Sequence, residues 1–377
     1  MANRVVVARS DAKVRYLMAT YYVGAGGNDS NNGTTWALRK LTLNGAEDIP
    51  VQAGDTVYVG AGTYREQLTC DVSGSSGSPI SYIGDYDGSH TDGTGGVVRI
   101  TGSNDDTTVA RNIQIALTAK AYRTFKNFCI DSGGSIYASI FNITNNCDHL
   151  IVDGCSFNST VMAIKSYSGS TFTNTTIKNC VVVGAPFYNT GLKSNDSGNV
   201  IENNLIVGAP DAAISIADGG TVIRNCTFIG GYQAVNVGAL NAGQTVTVNN
   251  CIMIGHHHYQ LIANTLGMLI EDYNYCTSRS NVAIGEHSIN TQLLFDHRFA
   301  SEMINGGSML SPFDLASYSQ LINVAGTSPT TADIRGTTVQ GTQREWGALE
   351  YDSTLDIEAG TGGGLLTNTG MSGGMRG

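Results

Sequence analysis

Apolar and polar positions along this chain alternate in short bursts rather than on helical faces, and one burst recurs. An apolar residue, then a charged residue or Asn, then Asn, Gly or Asp stands at Phe125, Lys126, Asn127; Val152, Asp153, Gly154; Ile177, Lys178, Asn179; Ile201, Glu202, Asn203; Ile223, Arg224, Asn225; Val248, Asn249, Asn250; and Ile270, Glu271, Asp272. The third position returns after 27, 25, 24, 22, 25 and 22 residues, a spacing that marks stacked supersecondary units rather than one globular core. A second column follows at once: Phe128, Cys155, Cys180, Asn204, Cys226, Cys251 and Tyr273, with Gly184, Gly208, Gly230 and Gly255 four positions beyond four of them.

Within each unit the apolar runs are short and rich in β-branched residues, as over 221 to 229 and 245 to 254, and Gly, Asn, Ser and Asp separate them. That is the signature of strands and turns; no unit holds a stretch long enough for an amphipathic helix. The pattern therefore predicts an all-β solenoid of stacked parallel coils, about ten in number. Equivalent residues of successive coils lie roughly 4.8 Å apart. The second ladder position then forms an outward column, Lys126, Asp153, Lys178, Glu202, Arg224, Asn249 and Glu271, in which charge mostly alternates in sign. Such exposed pairs are worth about 0 to 1 kcal/mol each and serve register more than stability.

Composition narrows the class. Among 377 residues there are 47 glycines, 14% charged and 41% hydrophobic residues, with no apolar run long enough to cross a bilayer. A net charge of −10 argues against nucleic acid as a partner, and no membrane partner is expected. Residues 1 to 20 depart from this balance, with Arg4, Arg9, Lys13 and Arg15 against Asp11, and suit a basic arm that docks on an acidic partner surface. The apolar runs over 5 to 8 and 16 to 19 are too short for a secretory leader. Eight cysteines could suggest disulfides, but four of them stack in one column with β-carbons farther apart than a disulfide wants, so buried free thiols are expected. No zinc-type spacing occurs.

The segment from Tyr21 to Gly84 carries a resemblance. It contains Tyr21, Tyr22 and Val23; Gly27, Asn28, Asp29 and on to Thr34; Ala53, Gly54, Asp55 and on to Tyr64, Arg65 and Glu66; then Ser78, Pro79 and on to Gly84. In this order the pieces resemble the opening of right-handed parallel β-helix proteins of the pectate-lyase-like superfamily, and the sequence over 332 to 336 and 346 to 351 resembles their closing coil. The resemblance implies a single-stranded right-handed parallel β-helix, with residues 36 to 49 as a short amphipathic cap weakened by Gly45. The organisation expected is an attachment arm over 1 to 20, cap and first coils over 21 to 90, central helix over 91 to 290, closing coils over 291 to 352, and a Gly-rich arm over 353 to 377. The periodicity over 277 to 328 is too weak to place rungs.

The resemblance also implies where chemistry could lie: calcium-binding carboxylates with an arginine base in lyases, three carboxylates and a His in hydrolases. The only Asp-Asp step, Asp105 and Asp106, precedes the ladder in a turn-like stretch. Asp196 and Asp218 each stand seven residues before a ladder Asn, hence on adjacent rungs about 5 Å apart, near the separation of a retaining glycosidase pair; both also sit in sequences that tight turns favour, which is the preferred reading. His256 and His258 could share a strand face as metal ligands, against a plain polar bend, and no metal or other cofactor is expected. Tyr188, Tyr232 and Tyr259 follow the glycine bends and are candidates for stacking on sugars.

Function is argued from the ends of the chain. A rigid scaffold without a leader, with a basic arm and a Gly-rich tail, suits a bacteriophage virion protein: a tail spike, fibre or capsid-decoration subunit, made in the host cytoplasm, trimeric, attached to other virion proteins and touching host surface glycans. The alternative is a polysaccharide lyase or glycoside hydrolase on the same scaffold; a surface adhesin is a third reading.

Overall fold

The computed structural model describes residues 18 to 290, apart from 50, 106 to 110, 134 to 138, 159 to 161, 167 to 171, 185 to 186, 190 to 197, 218 and 241. The basic arm with Arg4, Arg9, Lys13 and Arg15, the closing coils and the Gly-rich tail lie outside the described residues, as do Asp106, Asp196 and Asp218.

Three parallel sheets wind around one core. The first is 11-stranded and gathers the ladder strands from Thr20–Val23 through Leu269–Asp272; the second is 8-stranded and the third 9-stranded. Each chain pass visits the first, second and third sheet in turn, and every strand pairs in parallel with its counterpart one coil away. This is the expected parallel β-helix. Among the described residues the second sheet has eight strands, and the closing coils over 291 to 352 that complete the ten or so expected lie outside them.

The physical reason for the ladder lies in its third position. Asn127, Gly154, Asn179, Asn203, Asn225 and Asn250 all have left-handed backbones, with φ of 61°, 65°, 55°, 61°, 52° and 56°, which Asn and Gly adopt at least cost. One such residue turns the chain from the first sheet into the second. The residue before it points outward and the residue before that points inward. Inward lie Tyr82, Phe125, Val152, Ile177, Ile201, Ile223 and Val248, in register and buried. Outward, the expected ion pairs form: Lys126 Nζ is 3.1 Å from Asp153 Oδ2, Lys178 Nζ 4.0 Å from the same atom, and Arg224 Nη2 2.7 Å from Glu202 Oε2.

The last rung is shifted by one residue from the expected frame. Val248 pairs with Glu271 and Asn249 with Asp272, so Asp272 ends the charge column, Tyr273 takes the left-handed corner at φ 55°, and Asn274 takes the second column. Glu271 is therefore inward and buried while Ile270 is exposed, the reverse of what hydropathy alone assigns. The buried carboxylate is satisfied: Arg279 lies at 2.8 Å, and Asn274, Ser288 and the Gly285 N–H donate to it, which offsets its desolvation. Asn274 repeats what Asn204 does three coils earlier. Each side chain accepts from the N–H of the cysteine one rung away and donates to a strand carbonyl.

All eight cysteines are free, and all except Cys129 are buried. Burial pushes the Cys155 thiol up to about 12, so these thiols act as small apolar side chains. At the N-terminal end a 3-10 turn at Trp36–Leu38 and a helix at Leu43–Glu47 form the cap. Gly45 is the weak helix former there for a reason: a Cβ would lie 2.2 Å from Asp29 Oδ1, the oxygen that accepts from the N–H groups of Leu41 and Thr42. Leu43 and Ala46 enter the core, whereas Leu38 and Leu41 remain exposed, so the apolar face of the cap is narrower than its sequence suggests.

Candidate functional site

At most rungs one left-handed residue joins the first sheet to the second. After the strand Ile80–Gly84 the chain instead makes a loop over 85 to 97 before resuming at Val98–Thr101. Asp85 closes this loop. Its buried carboxylate accepts from the N–H of His90 at 2.9 Å and from Thr91 Oγ1 at 2.7 Å, while the His90 ring stacks on Tyr58 at 4.1 Å between centroids. Asp87 accepts from the Ser89 N–H. So anchored, the loop holds Tyr86 and Val97 at its two ends, both exposed, as one wall of a groove.

The groove runs along the corner between the first and second sheets and has a volume of about 350 Å³, within the range of small-ligand sites. Asn127, Gly154 and Asn179 form its corner side; Cys129, Ser156 and Val181, in register on the second sheet, form the other. Beyond Val181 the same column continues as Leu205, Thr227 and Ile252, all buried, so the open stretch covers three rungs. Its rim on the first sheet is the charge column at those rungs, Lys126, Asp153 and Lys178. Asp153 is bonded on its other oxygen by Asn179 Nδ2 at 2.7 Å. Two ammonium groups thus face one carboxylate, so the first-sheet side of the groove carries a net positive charge, with Asp85 and Asp87 in the loop that forms another wall.

Among the described residues, Asp85, Asp87 and His90 bring three possible ligand atoms within 4.8 Å of one another. Both oxygens of Asp85 already accept from loop donors, so the cluster closes the loop by itself. His256 and His258 have unlike surroundings. The His258 ring stacks on Tyr232 at 4.9 Å and its Nδ1 lies 3.1 Å from Gln233 Nε2. Both ring nitrogens of His256 are shielded and lack a partner, and burial pushes that imidazole down to about 4. Tyr232 and Tyr259 meet through His258, which makes an edge contact with Tyr259 at 4.7 Å. Tyr188 is on a strand of the third sheet, in register with Ser215 and Asn236, and so stands outside their column. Asp105 is exposed.

Nothing in the sequence reading singled out Tyr86, Val97 or Cys129. The signal was present as spacing, because thirteen residues with glycines at 88, 93, 95 and 96 stand where later rungs use one corner residue.

No protein-family model and no curated protein sequence matches this chain. Solved structures do. The fold resembles pectate lyase Pel9A with a TM-score of 0.56 at 13% identity, over 89% of this chain and 96% of that one. It resembles a rhamnogalacturonan lyase with a TM-score of 0.52 at 17% identity, over 74% and 75%, and XylC in complex with xylose with a TM-score of 0.52 at 12% identity, over 72% and 70%. The chain is a parallel β-helix, the architecture it shares with these proteins. At these identities the likeness establishes architecture alone.

Proposed function

We propose that the chain binds and cleaves a polysaccharide, held in the groove at the corner of the first and second sheets. The observation that carries this reading is the groove itself. An exposed tyrosine, two carboxamides and a hydroxyl line it, suiting sugar rings and sugar hydroxyls, and Lys126 and Lys178 beside Asp153 add the charge that favours a carboxylated sugar. The names of the similar folds, which include two polysaccharide lyases, support a lyase or hydrolase over a purely structural role.

Cys129 makes the proposal testable, since it lines the groove and the other seven thiols are buried. Saturating polygalacturonate, alginate or xylan should slow its modification by a thiol reagent. The double variant Lys126→Gln, Lys178→Gln should weaken binding of an acidic glycan about tenfold, an effect of about 1.4 kcal/mol, and more so at low salt. Unaltered labelling in the presence of every glycan tested overturns the reading.

A separate proposal concerns attachment. The basic residues Arg4, Arg9, Lys13 and Arg15 favour docking of residues 1 to 20 on a virion, where trimeric spikes carrying glycan-cleaving activity would join both readings. Deleting 1 to 20 should abolish attachment to the particle, seen by electron microscopy, and leave the melting of the coil unchanged; attachment that survives the deletion removes the proposal.

A further inference from the structure

The edge of the first sheet opposite the groove has its own left-handed column. Register places Tyr122, His149, Asn174, Gly198 and Gly220 on successive rungs, with φ of 54°, 55°, 50°, 78° and 77°. The fold demands this conformation, and Asn or Gly meets the demand cheaply at the last three rungs. At the first two it is met by Tyr and His, whose bulky side chains disfavour it. Strain of this kind, kept where a cheaper residue would serve, points to use of the side chain.

Those side chains form one unit. The rings of Tyr122 and His149 stack at 4.3 Å with 16° between planes. Asp148 Oδ2 lies 2.7 Å from His149 Nδ1, a close electrostatic contact. Asp148 Oδ1 accepts from Thr173 Oγ1 at 2.7 Å and from Asn174 Nδ2 at 2.9 Å. Burial alone would raise the Asp148 carboxyl, but these donors and His149 outweigh it and hold the group below its usual range, as an anion. Tyr122 and His149 are both partly exposed.

The position of the unit matters as much as its strain. The strands that carry Tyr122 and His149 are the same strands that carry Lys126 with Asn127 and Asp153 with Gly154 on the groove side. The two edges are five positions apart, about 16 Å of extended chain; in register between them Ile151 and Thr176 are half-exposed and Thr124 is buried. We infer that Tyr122, His149 and Asp148 form an outer subsite for the same glycan, which crosses the first sheet at right angles to the coil axis. The phenol and imidazole offer hydrogen bonds and ring edges to sugar hydroxyls, and the subsite selects for chain length. This inference rests on the groove being the glycan site.

The test uses substitutions that relieve strain. The variant Tyr122→Asn, His149→Asn keeps residues suited to the left-handed column, as Asn174 shows, and should melt at the wild-type temperature or above. Binding is read as protection of Cys129 by galacturonate trisaccharide and by long oligogalacturonate. Wild type should bind the long oligomer about tenfold tighter than the trisaccharide, and the double variant should bind both alike. Length preference unchanged in the variant overturns the subsite, and so does a melting temperature lowered by several degrees, which would make the stack structural. Failure of both oligomers to protect wild-type Cys129 overturns the groove reading instead, and the subsite with it.

Discussion

Replacing Arg123 with Leu should destabilise the protein by about 3 to 5 kcal/mol, the typical effect of removing one partner from a buried ion pair. Arg123 and Glu47 are both essentially excluded from solvent and meet through two parallel bonds of 2.8 Å. Glu47 also accepts from Tyr82 Oη at 2.6 Å and from the Asp71 N–H at 3.0 Å, while Arg123 Nε donates to the Val72 carbonyl. The pair fastens the last residue of the cap helix Leu43–Glu47 to a strand of the first sheet. Leu at 123 leaves the Glu47 charge buried without its partner. The double variant Glu47→Leu, Arg123→Leu should recover most of the loss, since two apolar groups strand no charge. Urea unfolding measures both; a single-variant loss below about 1 kcal/mol would contradict the account. Burial would raise the Glu47 carboxyl, yet the bonds from Arg123 outweigh it and hold the group low. Its contribution is therefore present above the unfolded carboxylate pKa and is lost as pH falls through the lower folded value.

A second large effect is expected in mild acid. His256 is pushed down to about 4 by burial, against about 6.5 when unfolded. Between those values the unfolded chain holds a proton that the folded chain lacks, so stability falls as pH drops from about 6.5 to 4, by roughly 3 kcal/mol at most. His256→Leu should flatten this part of the profile. Equal slopes for wild type and variant in urea titrations at neutral pH and near pH 4 would remove His256 as the cause. His287 acts in the opposite sense. Its hydrogen bond to Asp272 raises it, so its contribution is present at low pH and is lost as pH rises through the raised value; being exposed, it is a minor influence.

Much of the coil is legible in the sequence. The αL requirement at Asn127, Asn179, Asn203, Asn225 and Asn250 leaves a mark on the sequence because few residues satisfy it, and the charge partners Lys126, Asp153, Glu202 and Arg224 follow from counting one residue back. The last rung departs from this pattern for an equally local reason. Ile270 and Glu271 look like an inward and an outward residue, and only the pairing of Asn249 with Asp272, with Arg279 waiting inside for the carboxylate, reverses them. The candidate site was less legible. Tyr86 and Val97 belong to an insertion without periodicity, and Cys129 differs from its buried neighbours only in standing where the groove is open. The column of Tyr122 and His149 was hidden because two of its five members are residues that do not advertise a left-handed backbone.

The sequence by itself determined the repeat, the parallel β architecture and the corners, since these depend on local backbone preference and on a period that any stacked coil must keep. Tertiary structure alone decided which rungs expose their corner and which bury it, how a loop from one coil walls a groove three rungs long, and which strained side chains lie across the sheet from it. Those facts depend on contacts between residues tens of positions apart, and one-dimensional pattern carries no record of such distances.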